Sequence, residues 1–243
     1  MVVYQILTFE YDLPLSKLID RRMRELDNAY VLEAVADGVL LKVRGESPER
    51  AAAQALARIL GHDLRCCTLA EFADALPLTL SEKQAVLTEA LETSQRREEP
   101  AVLTGKLLGY LSAHHTICLE GFLRFRMQEF LMLWEIAVEQ AAAKVLMQKE
   151  YGELMDTLRR FAESRKSRVR SLSVCIHPDG TITLCDDGDV RIEYVDCAPD
   201  GILQILVNMS PKTLTVYDLS GEEKNRLTEA ILKVFGDRVK LYR

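Results

Sequence analysis

Residues able to do chemistry crowd into one short stretch, where His114, His115, Cys118 and Glu120 are followed by Arg124, Arg126 and Glu129. His114 and Cys118 lie one helical turn apart, a spacing that can chelate zinc. Two ligands do not make a site. Structural zinc takes four ligands and catalytic zinc three plus water, while His177 and the other cysteines are too distant along the chain to assign, so no metal is expected. Glu120 and Arg124 are spaced i,i+4 and Arg126 and Glu129 i,i+3, so each pair shares a helical face. A lone charge buried in an apolar helix is costly. The favoured reading is therefore structural: a Glu120–Arg124 ion pair, or Arg126 reaching a carboxylate or carbonyl on a neighbouring helix. The functional alternative makes the arginines an anion or phosphate site.

A second cluster is purely basic: Arg159, Arg160, Arg165, Lys166, Arg168 and Arg170. Cations at the end of a helix suit its negative pole, and the same residues could grip phosphates. No aromatic interleaving or recognition-helix pattern accompanies them, and a net charge of −6 opposes a phosphate backbone, so nucleic-acid binding is possible but not favoured. Cys175, His177 and Cys185 straddle a hairpin; a three-residue loop puts them on one face and a two-residue loop splits them. Ordinary strand residues are the preferred reading, since a Cys/His nucleophile also needs an oxyanion hole and an orienting partner. Walker, dinucleotide, zincin and hydrolase-elbow motifs do not occur, so no catalytic residue and no cofactor are assigned.

The elements that position these residues follow from periodicity. A β-rich start (residues 2–8), a helical Leu15–Leu26, two apolar runs joined at Asp37-Gly38, a Ser47-Pro48 helix closed by Gly61 and a strand over His62–Cys67 give βαββαβ. Residues 1–67 are therefore expected to form a ferredoxin-like domain. From Thr68 the pattern turns helical: Leu69–Leu76, then a helix capped by Ser81 with Gln84 closing the box, then an exposed Gln95–Pro100 loop before a helix starting near Ala101. After an interruption at His114–Thr116, the segment Ile117–Phe161 is apolar on nearly every face, with Phe122, Phe125, Phe130, Leu133, Trp134 and Ile136, which predicts the centre of a bundle over residues 68–168. Residues 169–243 return to α/β: a hairpin around Pro178-Asp179-Gly180, a strand at Ile192–Val195, a helix at Gly201–Asn208, a strand at Thr213–Tyr217, a helix opened by Ser220 and a strand at Arg238–Tyr242. The expected class is α+β, a central helical bundle flanked by the ferredoxin-like domain and a C-terminal α/β module.

Composition sets the surroundings. Six irregularly spaced cysteines with no C-x-x-C pair read as reduced thiols, and the start MVVYQILTFE lacks a secretory signal, so a cytoplasmic protein is expected. The apolar Phe130–Met147 carries Glu135, Glu139 and Lys144 as a polar stripe, which argues against a membrane span.

The run Glu120-Gly121-Phe122-Leu123-Arg124-Phe125-Arg126-Met127-Gln128-Glu129-Phe130 resembles the E-G-F-x-x-F-R run of the YtxC-like family of sporulation proteins. Lys149 to Phe161 (KEYGELMDTLRRF) and the Ser210-Pro211-Lys212 turn resemble the same family, and the likeness spans roughly residues 100–243. It implies a spore-forming bacterium and a cytoplasmic setting, and brings no reaction, cofactor or catalytic residue. The functional expectation is a non-enzymatic interaction or assembly factor with a protein partner or self-association. Alternatives are a nucleic-acid-associated regulator using Arg159–Arg170, or an uncharacterised enzyme with a site near His115, Glu120 and Arg126.

Overall fold

The first strand, β1 (Val2–Leu7), alternates as its sequence demands, with Tyr4 and Ile6 wholly buried. A computed structural model describes residues 1–9, 13–26, 28–36, 38–94, 99–188, 190–194 and 198–243. Helix α1 (Leu15–Arg24) buries Leu15, Ile19 and Met23 at i, i+4, i+8, and the hairpin of β2 (Ala29–Val35) and β3 (Gly38–Arg44) lays Leu41 against Tyr4 and Val39 against Ile6. Asp37 of the expected Asp-Gly turn lies outside the described residues. Gly38 is needed for close approach, since a Cβ there would stand 2.1 Å from the Ile6 carbonyl oxygen.

Helix α2 (Pro48–Arg58) starts at Ser47-Pro48, and Ala51, Ala52, Ala53, Ala55 and Ala57 are buried with Leu56. Small side chains let other elements close on it from more than one side. The helix does not end at Gly61 as expected, and no strand forms over His62–Cys67. The chain continues through a π-helical turn (Ile59–Leu64) directly into α3 (Arg65–Ala75), so the ferredoxin-like order is interrupted after α2. The reason is burial: Ile59, Leu60, Leu64 and Leu69 are fully covered, and the wider turn keeps them on the core side.

Helix α4 (Leu80–Thr93) is capped two residues earlier than expected. The Glu82 carboxylate accepts the Thr79 amide (2.8 Å) and hydroxyl (2.6 Å), so T-x-x-E rather than S-x-x-Q is the box used. Of the Gln95–Pro100 loop, residues 95–98 lie outside the described residues, and α5 (Glu99–Leu111) begins at Glu99. The fourth strand of the first sheet is β4 (Thr116–Cys118), which joins β1 in parallel with Ile117 opposite Ile6, giving the order β2-β3-β1-β4. Helix α6 (Leu119–Arg126) follows at once, and a non-helical Met127 separates it from the long α7 (Gln128–Ser164).

The segment expected to be covered all round is one-sided. Phe122, Phe130 and Trp134 are buried, but Phe125 is 80% exposed and Ile136 43%. The chain divides into two compact units, Met1–Leu146 and Met147–Arg243.

In the second unit, Met155 and Ala162 of α7 belong to a core shared with a mixed sheet of β5 (Ser171–Ile176), β6 (Ile182–Asp186), β7 (Arg191–Tyr194), β8 (Thr213–Asp218) and β9 (Val239–Tyr242), ordered β7-β6-β5-β8-β9. Val195 of the expected third strand lies outside the described residues. Helices α8 (Pro199–Met209) and α9 (Arg226–Phe235) fill the crossovers into the parallel strands β8 and β9. The cap of α9 is Asn225, whose side chain accepts the Leu227 and Thr228 amides, and not Ser220, whose hydroxyl turns back to Asp218. The chain is thus a mixed α+β protein with two mixed sheets. Among the described residues no helix is long and apolar enough to cross a membrane.

Candidate functional site

The β4–α6 junction gathers part of the predicted cluster. Glu120 is 4% exposed, and its carboxylate accepts the Thr8 hydroxyl, the Phe9 amide (3.2 Å) and the Cys118 thiol (3.5 Å). The parallel pairing of β4 with β1 is what brings residue 120 to residue 8. Burial pushes the Cys118 thiol up in pKa; the Gly121 amide works against this and the Glu120 carboxylate adds to it. The thiol therefore stays protonated at neutral pH, which suits packing rather than nucleophilic attack. Replacing Glu120 with alanine leaves the Thr8 hydroxyl and Phe9 amide without this acceptor, and should cost about 2 kcal/mol in urea unfolding. A loss below about 0.5 kcal/mol would contradict the anchoring role.

The other members spread outward. The His114 and Tyr110 rings lie 4.5 Å apart, with the Arg126 guanidinium 6.0 Å from the Tyr110 ring, beside a cavity of about 370 Å3 that Lys106 and Phe122 also line. His115 instead faces Tyr4 at 5.9 Å. Glu129 pairs with Lys106 of α5. Arg124, Arg126 and Glu129 are exposed, whereas Glu120 is buried, so the seven residues do not converge on one point. Among the described residues no group of three or more His, Cys, Asp or Glu is placed to hold a metal ion.

The basic run lies at the end of α7 and beyond, exposed at all six positions. Arg159 bridges to Glu163 (3.1 Å), Arg160 donates to the Asp156 carbonyl (3.3 Å), and Arg165 donates to Asn208 (3.0 Å) while lying 4.2 Å over the Phe161 ring. Three of the cations are thus engaged locally.

On the hairpin, the His177 amide donates to the Thr181 carbonyl and Gly180 takes a φ of 84°, which makes a three-residue loop. Cys175, His177 and Cys185 consequently share one face, with Cys175 Sγ 4.0 Å from His177 Nδ1 and His177 Nε2 3.0 Å from Thr183 Oγ1. Burial pushes the Cys175 thiol up, with Arg191 opposing, so the pair lacks an activated thiolate. A cleft of about 680 Å3 opens beyond the carboxyl ends of β5 and β8, where α/β sheets often bind ligands. Asn225 already occupies the first amides of α9 there, which removes that helix terminus as an anion site.

Sequence reasoning missed the outer face of α7. Within the second unit, Met147, Tyr151, Leu154 and Phe161 are exposed, at 65%, 40%, 52% and 42%, and follow one another at helical spacing. The signal was present in KEYGELMDTLRRF, but an all-apolar reading of the helix hid which side would be left uncovered.

The family-like runs now have physical roles. Glu120 ties α6 to the end of β1. Met155 and Ala162 seat α7 in the second core. Ser210, in a left-handed conformation with φ 45° at the end of α8, donates its hydroxyl to the Ala162 carbonyl at 2.9 Å. A two-sheet α+β architecture carrying these runs defines the class. The chain belongs to the YtxC-like family, whose model matches residues 71–240. No curated protein and no solved structure matches the chain.

Proposed function

We propose that this chain is a non-enzymatic assembly factor of sporulation, acting in the cytoplasm, that pairs with a second copy of itself through the outer face of α7. The observation that carries this reading is the exposed stripe Met147, Tyr151, Leu154 and Phe161. Leucine, methionine and two aromatics in line, with Lys233 over the Tyr151 ring and Arg165 over the Phe161 ring, make an exposed apolar stripe edged by cations, of the kind that marks an interaction site. Charge selects the occupant. The first half of the stripe is flanked by Glu150, Glu153 and Asp156 against Lys149, and the second by Arg159, Arg160 and Arg165 against Glu163, so an antiparallel pair sets a net acidic half beside a net basic one. A parallel pair would set like against like. The sporulation setting rests on the likeness of the Glu120–Phe130 run.

Light scattering coupled to size exclusion should give a dimer for the full chain, and Leu154→Glu should give a folded monomer by circular dichroism. A monomeric wild type at tens of micromolar would overturn the pairing. Deletion of the gene should lower the yield of heat-resistant spores; an unchanged yield would overturn the sporulation role. Nucleic-acid association through Arg159–Arg170 is the second reading, tied to the exposure of all six cations. Salt-sensitive binding of generic DNA or RNA, lost when Lys166, Arg168 and Arg170 are made glutamine, would favour it over self-pairing.

A further inference from the structure

A cavity of about 180 Å3 in the first unit lies where α1, α2, the π-helical turn, α3 and α5 meet, lined by Arg22, Arg58, His62, Arg65, Glu99 and Leu103. Its volume equals the liquid share of roughly six waters, well below that of a pocket for a drug-sized ligand. Arg65 is 5% exposed, and its Nε and Nη1 have no hydrogen-bond acceptor among the described residues; Glu99 Oε2 stands 3.9 Å from Nη1, beyond hydrogen-bonding range. Arg22 spends Nη1 on Glu25 and Nη2 on Asp63, but its Nε is also buried without an acceptor. Arg58, paired with Glu25, and the 68%-exposed His62 line the side open to solvent.

Two arginines that line one small cavity thus carry three guanidinium nitrogens with no hydrogen-bond acceptor among the described residues, the Glu99 carboxylate standing near Arg65 at ion-pair and not hydrogen-bond distance. Buried polar groups in native proteins are almost always satisfied, and a cationic donor left bare is especially costly. The chain also departs from regular helix at this point, through the π-helical turn that carries Gly61 and His62, a distortion that recurs at functional sites.

We propose that this cavity binds a single phosphate group, as hydrogen phosphate. Guanidinium forks match the geometry of phosphate oxygens, which accounts for the Arg65 and Arg22 donors. Glu99 gives the selectivity. A carboxylate beside the arginines repels a fully deprotonated oxyanion, but it can accept the O–H that hydrogen phosphate retains near neutral pH. Sulfate carries no such proton and leaves the carboxylate facing bare anionic oxygen.

The test uses the full chain, titrated by calorimetry and thermal unfolding with sodium phosphate and with sodium sulfate at matched ionic strength and pH 7. Saturable phosphate binding with a rise in Tm that sulfate does not reproduce is the expected result. No phosphate binding, or equal stabilisation by sulfate, overturns the proposal. Arg65→Lys keeps a cation beside Glu99 but removes Nε and the planar fork, and should weaken phosphate about tenfold or more. Should that variant fail to fold, Arg58→Gln at the exposed side should weaken it severalfold, and undiminished affinity in a folded variant overturns the location.

Discussion

Replacing Trp134 with alanine is expected to destabilise the Met1–Leu146 unit by about 3–5 kcal/mol. Trp134 is 1% exposed and stands edge-on to Phe130 with ring centroids 6.4 Å apart, inside a core that also holds Leu103, Leu107 and Phe122. Removing it forfeits the burial of a large apolar surface and leaves a void that the surrounding side chains can only partly close. Phe125, nine residues earlier in the same apolar stretch and 80% exposed, is the control, and Phe125→Ala should stay within about 0.5 kcal/mol of wild type. Because Trp134 is the only tryptophan in the chain, urea unfolding should be followed by far-ultraviolet circular dichroism. Similar losses in the two variants would mean that α6 and α7 are covered on more sides than described. With two compact units, the curve is best fitted allowing two transitions.

Asp218→Ala should cost the second unit about 3 kcal/mol at pH 7, and the cost should shrink in acid. The carboxylate ends β8 and is 1% exposed; it accepts the Ser220 hydroxyl (2.6 Å), the Ser220 amide (3.3 Å) and the Thr228 hydroxyl (2.9 Å), with Arg243 Nε at 3.8 Å. It thereby fastens the turn after β8 to the first turn of α9. Burial by itself pushes this carboxyl up, but the hydrogen bonds from Ser220 and Thr228, with Arg243 close by, more than offset it and hold the group below the usual carboxylate range. An aspartate in the unfolded chain titrates near 3.9. With the folded value lower, the unfolded chain takes up the proton first as pH falls, so the stabilisation is complete above about pH 5 and is lost as pH drops through the folded value. Urea unfolding of wild type and variant from pH 7 down to about pH 2.5 should show the gap narrowing below about pH 4. A gap that stays constant, or widens in acid, would contradict the carboxylate's role.

The lining residues of the phosphate cavity come from α1, α2, the π-helical turn, α3 and α5, and α7 supplies none of them. Loss of phosphate binding and loss of self-pairing are therefore separable, the first by Arg65→Lys and the second by Leu154→Glu.

What the sequence determined alone was local. Alternation in Val2–Leu7, Pro-Asp-Gly before Thr181, Pro48 after Ser47 and the strand–helix–strand rhythm from Thr213 each act within a few residues, and all became the expected elements. The second sheet was legible for this reason, and the family runs were legible as residues. Tertiary structure decided the rest. Gly61 resembles a helix stop, yet the burial of Ile59, Leu60 and Leu64 carries the helix through it. The edge of the first sheet is filled by Thr116–Cys118, a pairing across more than a hundred residues that no local period reveals. The carboxylate of Glu120, spaced to meet Arg124, takes donors from Thr8 and Phe9 because that pairing delivers them. Arg65 and Glu99 meet only once α3 and α5 are assembled. Periodicity states that a helix has an apolar surface; only packing against distant segments settles which side is covered, and on α7 it left Met147, Tyr151, Leu154 and Phe161 outside.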